Sequence, residues 1–207
     1  MSMVDCQDTA GFVEMLAATA VADDTTNPYA PDVAGADLRC ANLRHYLAAM
    51  RDLGPTAVLV GEAPGYRGCR LTGVPFTSER LLLERVVGAG GYEIAGAPPT
   101  AEATATIVWQ TLAALPTLPL LWNAYPFHPH QPGDSLSNRA PRLSELLAGE
   151  PYFRALSSLF DLHKVLAVGR KAEMALARWG VAHTAVRHPS HGGKRAFQAG
   201  VWQEIGG

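Results

Sequence analysis

Two rhythms of apolar residues alternate along this chain. Residues 8–21 and 36–53 carry them at helical spacing, and Gly54-Pro55 stops the second stretch. Residues 56–60 are short and almost wholly apolar, as in a strand buried on both faces. The alternation then repeats. Helices are predicted over 78–87, with Ser78 as N-cap, and over 100–115, with Thr100 as cap; further helices follow over 143–147, 152–161, 170–179 and 194–205. Strands are predicted over 118–125, 164–168 and 183–187. Turn-rich connectors fill 23–31, 65–77, 88–99 and the His/Pro/Gly/Ser-rich stretch from 126 to about 139. The alternation predicts an α/β fold, three-layer α/β/α with a short central parallel sheet covered on both sides.

Composition narrows the class. With 207 residues, 48% of them hydrophobic, the chain can bury the core of one globular domain spanning 1–207, with a helical part over 1–55 and a motif-bearing core over 56–205. No apolar run approaches the ~18 residues needed to span a bilayer. The first residues lack a basic n-region and an apolar h-region, so no signal peptide is expected. Cys6, Cys40 and Cys69 are widely spaced and odd in number, which reads as reduced thiols in a cytoplasmic protein with no metal.

Net charge is −2, which excludes a strongly basic chain, but its distribution is uneven. Residues 1–60 hold three Arg/Lys against eight Asp/Glu; residues 161–207 hold seven against three. The basic C-terminal segment is compatible with a phosphate-contacting face and equally with a solvated helix face.

Three predicted strands end in chemistry-bearing residues: Gly61-Glu62-Ala63-Pro64-Gly65, Trp122-Asn123 and His188-Pro189-Ser190-His191. In open α/β sheets, ligands sit in the crevice outside the carboxyl ends of the strands. A carboxylate, an amide and an imidazole at three strand ends therefore predict one site. Together with Gly73-Val74-Pro75-Phe76-Thr77 these segments resemble the uracil-DNA glycosylase superfamily, most closely the family 4 type. The strand–Gly–helix unit from Ala167 to Leu176 is similar as well, and the resemblance covers roughly residues 56–205 in the family's order.

The resemblance implies a monofunctional enzyme of base excision repair that flips uracil out of DNA and hydrolyses its N-glycosidic bond. Phe76 would be the stacking platform, and Asn123 would pair with the N3–H/O4 edge of the base. His188 would donate to the developing O2 anion, and the backbone of Gly61, Ala63, Pro64, Gly65 and Tyr66 would wrap the base and the water. Glu62 is then either the water-orienting base or a structural carboxylate bonded to the following loop. The segment Pro189, Ser190, His191, Gly192, Gly193, Lys194 and Arg195 would enter the DNA groove; the alternative is an ordinary glycine-rich turn. Arg67 and Arg70 would contact phosphates or remain solvated.

Three departures qualify the resemblance. Ala63 stands where the best-known family has its aspartate. Gly65 stands where that family has a tyrosine that excludes thymine, so 5-substituted or other deaminated bases could enter unless Tyr66 or Tyr125 closes the pocket; Tyr125 reads as structural. Three cysteines cannot supply the four thiolates of the iron–sulfur cluster that family 4 members typically hold, so no cofactor is expected.

Only Lys164, Lys171 and Lys194 are available, none at a motif end, which disfavours a Schiff-base lyase. Asn138-Arg139 resembles a family 4 dipeptide that pins its loop, His128 and His130 read as surface residues, and Trp109, Trp179 and Trp202 read as core. The expected partner is DNA carrying uracil or another deaminated base, with the protein acting as a monomer and touching no membrane. The alternatives are a glycosylase for hypoxanthine or xanthine, or a catalytically weak DNA-damage-binding protein. A covalent-trapping variant is disfavoured because Arg67-Gly68-Cys69-Arg70-Leu71-Thr72 has no histidine, and a Rossmann protein because the three-glycine fingerprint is missing.

Overall fold

Ala57–Gly61 (β2) is buried at every position, which is why its sequence is an unbroken apolar run. The computed structural model describes residues 8–84 and 90–207. The first described element is Thr9–Ala17 (α1), capped by the Asp8 carboxylate, which accepts from Gly11 N–H at 2.8 Å. The two-residue strand Thr25–Thr26 (β1) and the helix Ala36–Leu53 (α2) lead into β2. The segment between β2 and the next sheet strand carries Cys69–Thr72 (α3), Glu79–Leu83 (α4) and Ala103–Leu112 (α5). Leu120–Asn123 (β3) is followed by His128–Pro129 (β4), Leu143–Ala148 (α6) and Glu150–Ser157 (α7). Lys164–Val168 (β5), Arg170–Arg178 (α8), Thr184–Val186 (β6) and Lys194–Ile205 (α9) complete the order.

The four longer strands form one parallel sheet in the order β3-β2-β5-β6, flanked by helices in the predicted three-layer α/β arrangement. Register aligns the carboxyl ends: Gly61 pairs with Asn123, Val60 with Ala167, and Val168 with Val186. On one side α1 packs on α2 and α7, and α8 lies against β5 and β2; α5 contacts α9. The N-terminal helices share the core of the sheet, with Phe12 stacking edge-on against Trp122 at 5.2 Å between ring centroids. Tyr46 fixes α2 to the sheet, its hydroxyl accepting from Leu121 N–H at 2.7 Å.

Several expectations shift. The first helix ends at Ala17, not 21, and β3 and β6 are shorter than predicted. The cap of α5 is Glu102, whose carboxylate accepts from Thr104 and Ala105 N–H, because Thr100 is committed to Glu79. Ser78 occupies the N-cap of α4, but its buried hydroxyl makes no bond. Burial alone would raise the Glu79 carboxyl; hydrogen bonds from Thr100, Gly96 and Ala95 hold it below its ordinary range. Cys6 and the predicted end of the 78–87 helix lie outside the described residues.

Trp202 is 52% exposed rather than core, whereas Trp109 and Trp179 are buried. His128 and His130 are buried, not surface residues, because β4 pairs antiparallel with β1 and draws them under the loop. Among the described residues no helix is long and apolar enough to cross a membrane.

Candidate active site

The aligned strand ends open into a cleft of about 220 Å³. Its lining includes seven of the sequence-predicted residues: Glu62, Ala63, Pro64, Gly65, Phe76, Asn123 and His188. Gly61 lies beneath them. A Cβ at Gly61 would stand 2.4 Å from the Phe76 ring and 2.9 Å from Asn123 Oδ1, so only glycine lets the ring and the amide converge there. The β2–β3 pairing continues past the strands: Ala124 N–H donates to Gly61 O at 2.8 Å and Tyr125 N–H to Glu62 O at 3.0 Å. These bonds hold the first motif beside Asn123.

Phe76 adopts a left-handed backbone, φ +53°, and His191 does the same at φ +50°; they are the two non-glycine residues with positive φ among those described. Such strain persists only where the surroundings enforce it, and it concentrates at functional sites. Here Trp109 donates its indole N–H to Phe76 O at 2.9 Å, fixing the strained turn that presents the ring.

The polar groups keep hydrogen-bonding capacity in reserve. Asn123 is only 5% exposed, yet its amide has no partner among the described residues. Buried amides are normally satisfied, so this one leaves donor and acceptor capacity open at the cleft it lines. The Glu62 carboxylate likewise bonds no group among the described residues, and the loop-bonding alternative for it is not seen. Burial raises the Glu62 carboxyl above its usual range, opposed by the Lys171 ammonium.

His188 is oriented by its own motif. Ser190 N–H donates to Nδ1 at 3.2 Å, with the Ser190 hydroxyl 2.7 Å from the same nitrogen. Nδ1 therefore carries the lone pair, and the neutral ring bears its proton on Nε2. Burial, then Arg187 and His191, hold this imidazole below its ordinary pKa, which favours that neutral form. The ring packs on Gly169, where φ is +84° and a Cβ would meet His188 Cβ at 3.1 Å.

Other predicted residues lie around the cleft rather than in it. Tyr66 and Tyr125 do not line it; Arg67 stacks on the Tyr66 ring at 5.4 Å, and Tyr125 packs edge-on against Phe127 in the core. Pro189 is buried and Ser190 half-buried, while His191, Gly192, Lys194 and Arg195 are exposed on the flank and Gly193 is buried at the start of α9. The Lys194 ammonium donates to Gln110 Oε1 at 2.9 Å.

Sequence reasoning missed several residues here. Cys69, Thr77, Glu102, Thr104 and Arg139 line the cleft, as does Asn138, whose amide oxygen accepts from Tyr66 N–H at 3.0 Å. Lys171 follows β5 by three residues and faces Glu62 electrostatically, so one lysine does stand at a strand end; its ammonium donates to Pro141 O at 3.3 Å. His128 lies 2.7 Å from Pro64 O through Nδ1 and 3.3 Å from Ser135 O through Nε2, bridging the first motif and the long loop. The only hint of these in the sequence was Asn138-Arg139, expected to pin that loop.

The cysteines do not fit a four-thiolate cluster. Cys40 and Cys69 are free and buried, and burial pushes the Cys69 thiol up to about 12. No group of three or more His, Cys, Asp or Glu among the described residues could hold a metal ion.

A family model described as the uracil DNA glycosylase superfamily matches residues 50–205. Among solved structures, the chain is similar to wild-type SMUG2 of Pedobacter heparinus, with a TM-score of 0.64 over 96% of this chain and 97% of that one, at 14% identity. No curated protein matches the sequence.

Proposed function

Because the chain belongs to the uracil DNA glycosylase superfamily, we propose that it excises uracil from DNA as a monofunctional glycosylase. The observation that carries this reading is the His188 tautomer: a neutral ring with Nε2–H free, in the same cleft as a stacking ring and an unpartnered amide. A flipped uracil would stack on Phe76 and pair its N3–H/O4 edge with Asn123. As the C1′–N1 bond breaks, its electron pair leaves with the base. The O2 anion that develops would take a hydrogen bond from His188 Nε2, a contribution of about 3 kcal/mol.

The cationic sugar would be captured by water at C1′, with Glu62 orienting that water and accepting its proton. Lys171 supports this role by favouring the charged form of Glu62. A base with higher demands on its environment is not required, because the sugar cation forms before the water attacks.

A second reading, excision of another deaminated or a 5-substituted base, is favoured by one feature. Gly65 forms the wall where a bulky side chain would exclude substituents, and neither tyrosine of the neighbourhood lines the cleft. Single-turnover release from oligonucleotides bearing U, hypoxanthine, xanthine or T separates the two. Release of uracil alone supports the first reading; release of hypoxanthine or xanthine in preference to uracil replaces it with the second. Tight binding without release of any base leaves a damage-binding protein.

A further inference from the structure

Most arginines among the described residues are exposed, and partly buried ones answer a carboxylate: Arg80 pairs with Glu84, and Arg139 with Glu145 and Asp24. Arg39 and Arg70 fit neither pattern. Arg39 is 6% exposed and Arg70 is half-buried, and among the described residues no carboxylate pairs with either. Arg39 directs its donors to the carbonyls of Pro28, Val33 and Ala34, which hold the group in place without opposing its charge. Arg70 makes one bond, from Nε to Tyr66 O at 3.3 Å, and its two Nη groups have no partner among the described residues. Burial holds the Arg70 guanidinium below its ordinary range; burial, then the charge of Arg70, does the same to Arg39. Two like charges thus face each other away from water. A buried charge is normally paired, because the solvation it loses is otherwise not recovered. An anion is the missing part.

The position of Arg70 says which anion. Cys69, one residue before it, lines the cleft. Tyr66, whose carbonyl holds Arg70 Nε, is itself fixed through its N–H to Asn138 on the cleft wall. The guanidinium is therefore carried at the edge of that wall, where Arg67 is instead exposed and stacked on the Tyr66 ring. A strand whose nucleotide enters the cleft brings its phosphates to this edge. A phosphodiester offers two non-bridging oxygens, which match the parallel N–H groups of a guanidinium.

Resting on the glycosylase reading, we propose that Arg70 binds one backbone phosphate of the strand that carries the extruded nucleotide, with the charge of Arg39 behind it. The phosphate neutralises a charge that the fold leaves uncompensated and relieves the repulsion between the two arginines. The contact reads no base, so it adds a salt-dependent affinity common to all sequences.

The test measures the affinity of full-length wild type, R70Q and R70K for a duplex carrying an abasic-site analogue, over a range of KCl concentrations. The slope of log affinity against log salt should become shallower by about 0.9 in R70Q, the contribution of one phosphate, and R70K should keep the wild-type slope. At low salt R70Q should bind about tenfold more weakly, whatever the sequence around the lesion. Its melting temperature should not fall, because the group removed is an uncompensated charge. Methylphosphonate substitution, which neutralises one phosphate at a time, should find a position that weakens wild type and not R70Q. A wild-type salt slope in R70Q, with equal losses at every methylphosphonate, overturns the inference and leaves Arg70 as a support for Tyr66. Stabilisation of wild type but not R70Q by inorganic phosphate, with the DNA slope unchanged, overturns it in favour of a free anion. If the wild type releases no base, the glycosylase reading fails on its own, and the salt slope still decides the role of Arg70.

Discussion

The Phe76 ring occupies the space that a side chain on Gly61 would need, its Cζ 2.4 Å from the Cβ position. The proposed stacking platform therefore depends on the absence of an atom at the end of the central strand. G61A should push Phe76 away, with an overpacking cost of about 1–3 kcal/mol. Activity in kcat/KM should fall further than stability alone accounts for. In a double-mutant cycle G61A and F76A should be strongly non-additive, since both act on one ring. Additive losses would show that the contact is not the reason for the glycine.

If Glu62 orients the water as proposed, Lys171 should influence the acid limb of the pH profile. Burial raises the Glu62 carboxyl, and the Lys171 ammonium counteracts it. Removing that cation in K171M lets Glu62 take its proton at higher pH, so the acid limb of kcat/KM should move to higher pH. K171R should restore it, and E62Q should abolish that limb. A limb that stays in place in K171M assigns it to another group.

His128 joins the Pro64 and Ser135 carbonyls from a fully buried position. H128A removes the ring N–H, which the neutral imidazole can give to only one of these carbonyls, and should cost about 2 kcal/mol of stability, read by denaturant unfolding. Because the Pro64 loop is the cleft wall, base excision should fall as well. H128Q, which keeps an N–H donor, should recover part of both. Unchanged unfolding in H128A would contradict the bridge.

Glu79 makes stability pH-dependent with a defined sign. Its carboxyl is held below the usual range by Thr100, Gly96 and Ala95, overcoming burial. The stabilisation is thus complete above the ordinary carboxylate pKa and is lost as pH falls through the folded value. E79Q should lower stability at neutral pH by about 2 kcal/mol. It should also flatten the decline of melting temperature between neutral and acidic pH. A wild-type decline that persists unchanged in E79Q would assign it to other carboxylates.

The fold and the heart of the site were legible where local sequence decides structure. The apolar run 56–60 could only be a buried strand, and Gly61, Asn123 and His188 follow from strand ends being brought level by a parallel sheet. What was not legible depended on distant partners. Thr100 looks like a helix cap until Glu79, 21 residues away, takes its hydroxyl. His128 and His130 look solvated until the two-residue ladder with Thr25–Thr26 buries them, and no pattern announces so short a pairing. Lys171 sits at no motif end in the sequence, although three-dimensional placement turns its charge toward Glu62. Trp202 misled in the opposite direction, since helical spacing does not reveal which side of α9 faces solvent.

His188 carries the central claim, and single-turnover release of uracil from a defined oligonucleotide tests it most directly. Wild type should release the base, and H188A, lacking the Nε2 donor, should be slower by about 10²–10³. Uracil release that is equal in wild type and H188A, or absent from both, would contradict the account.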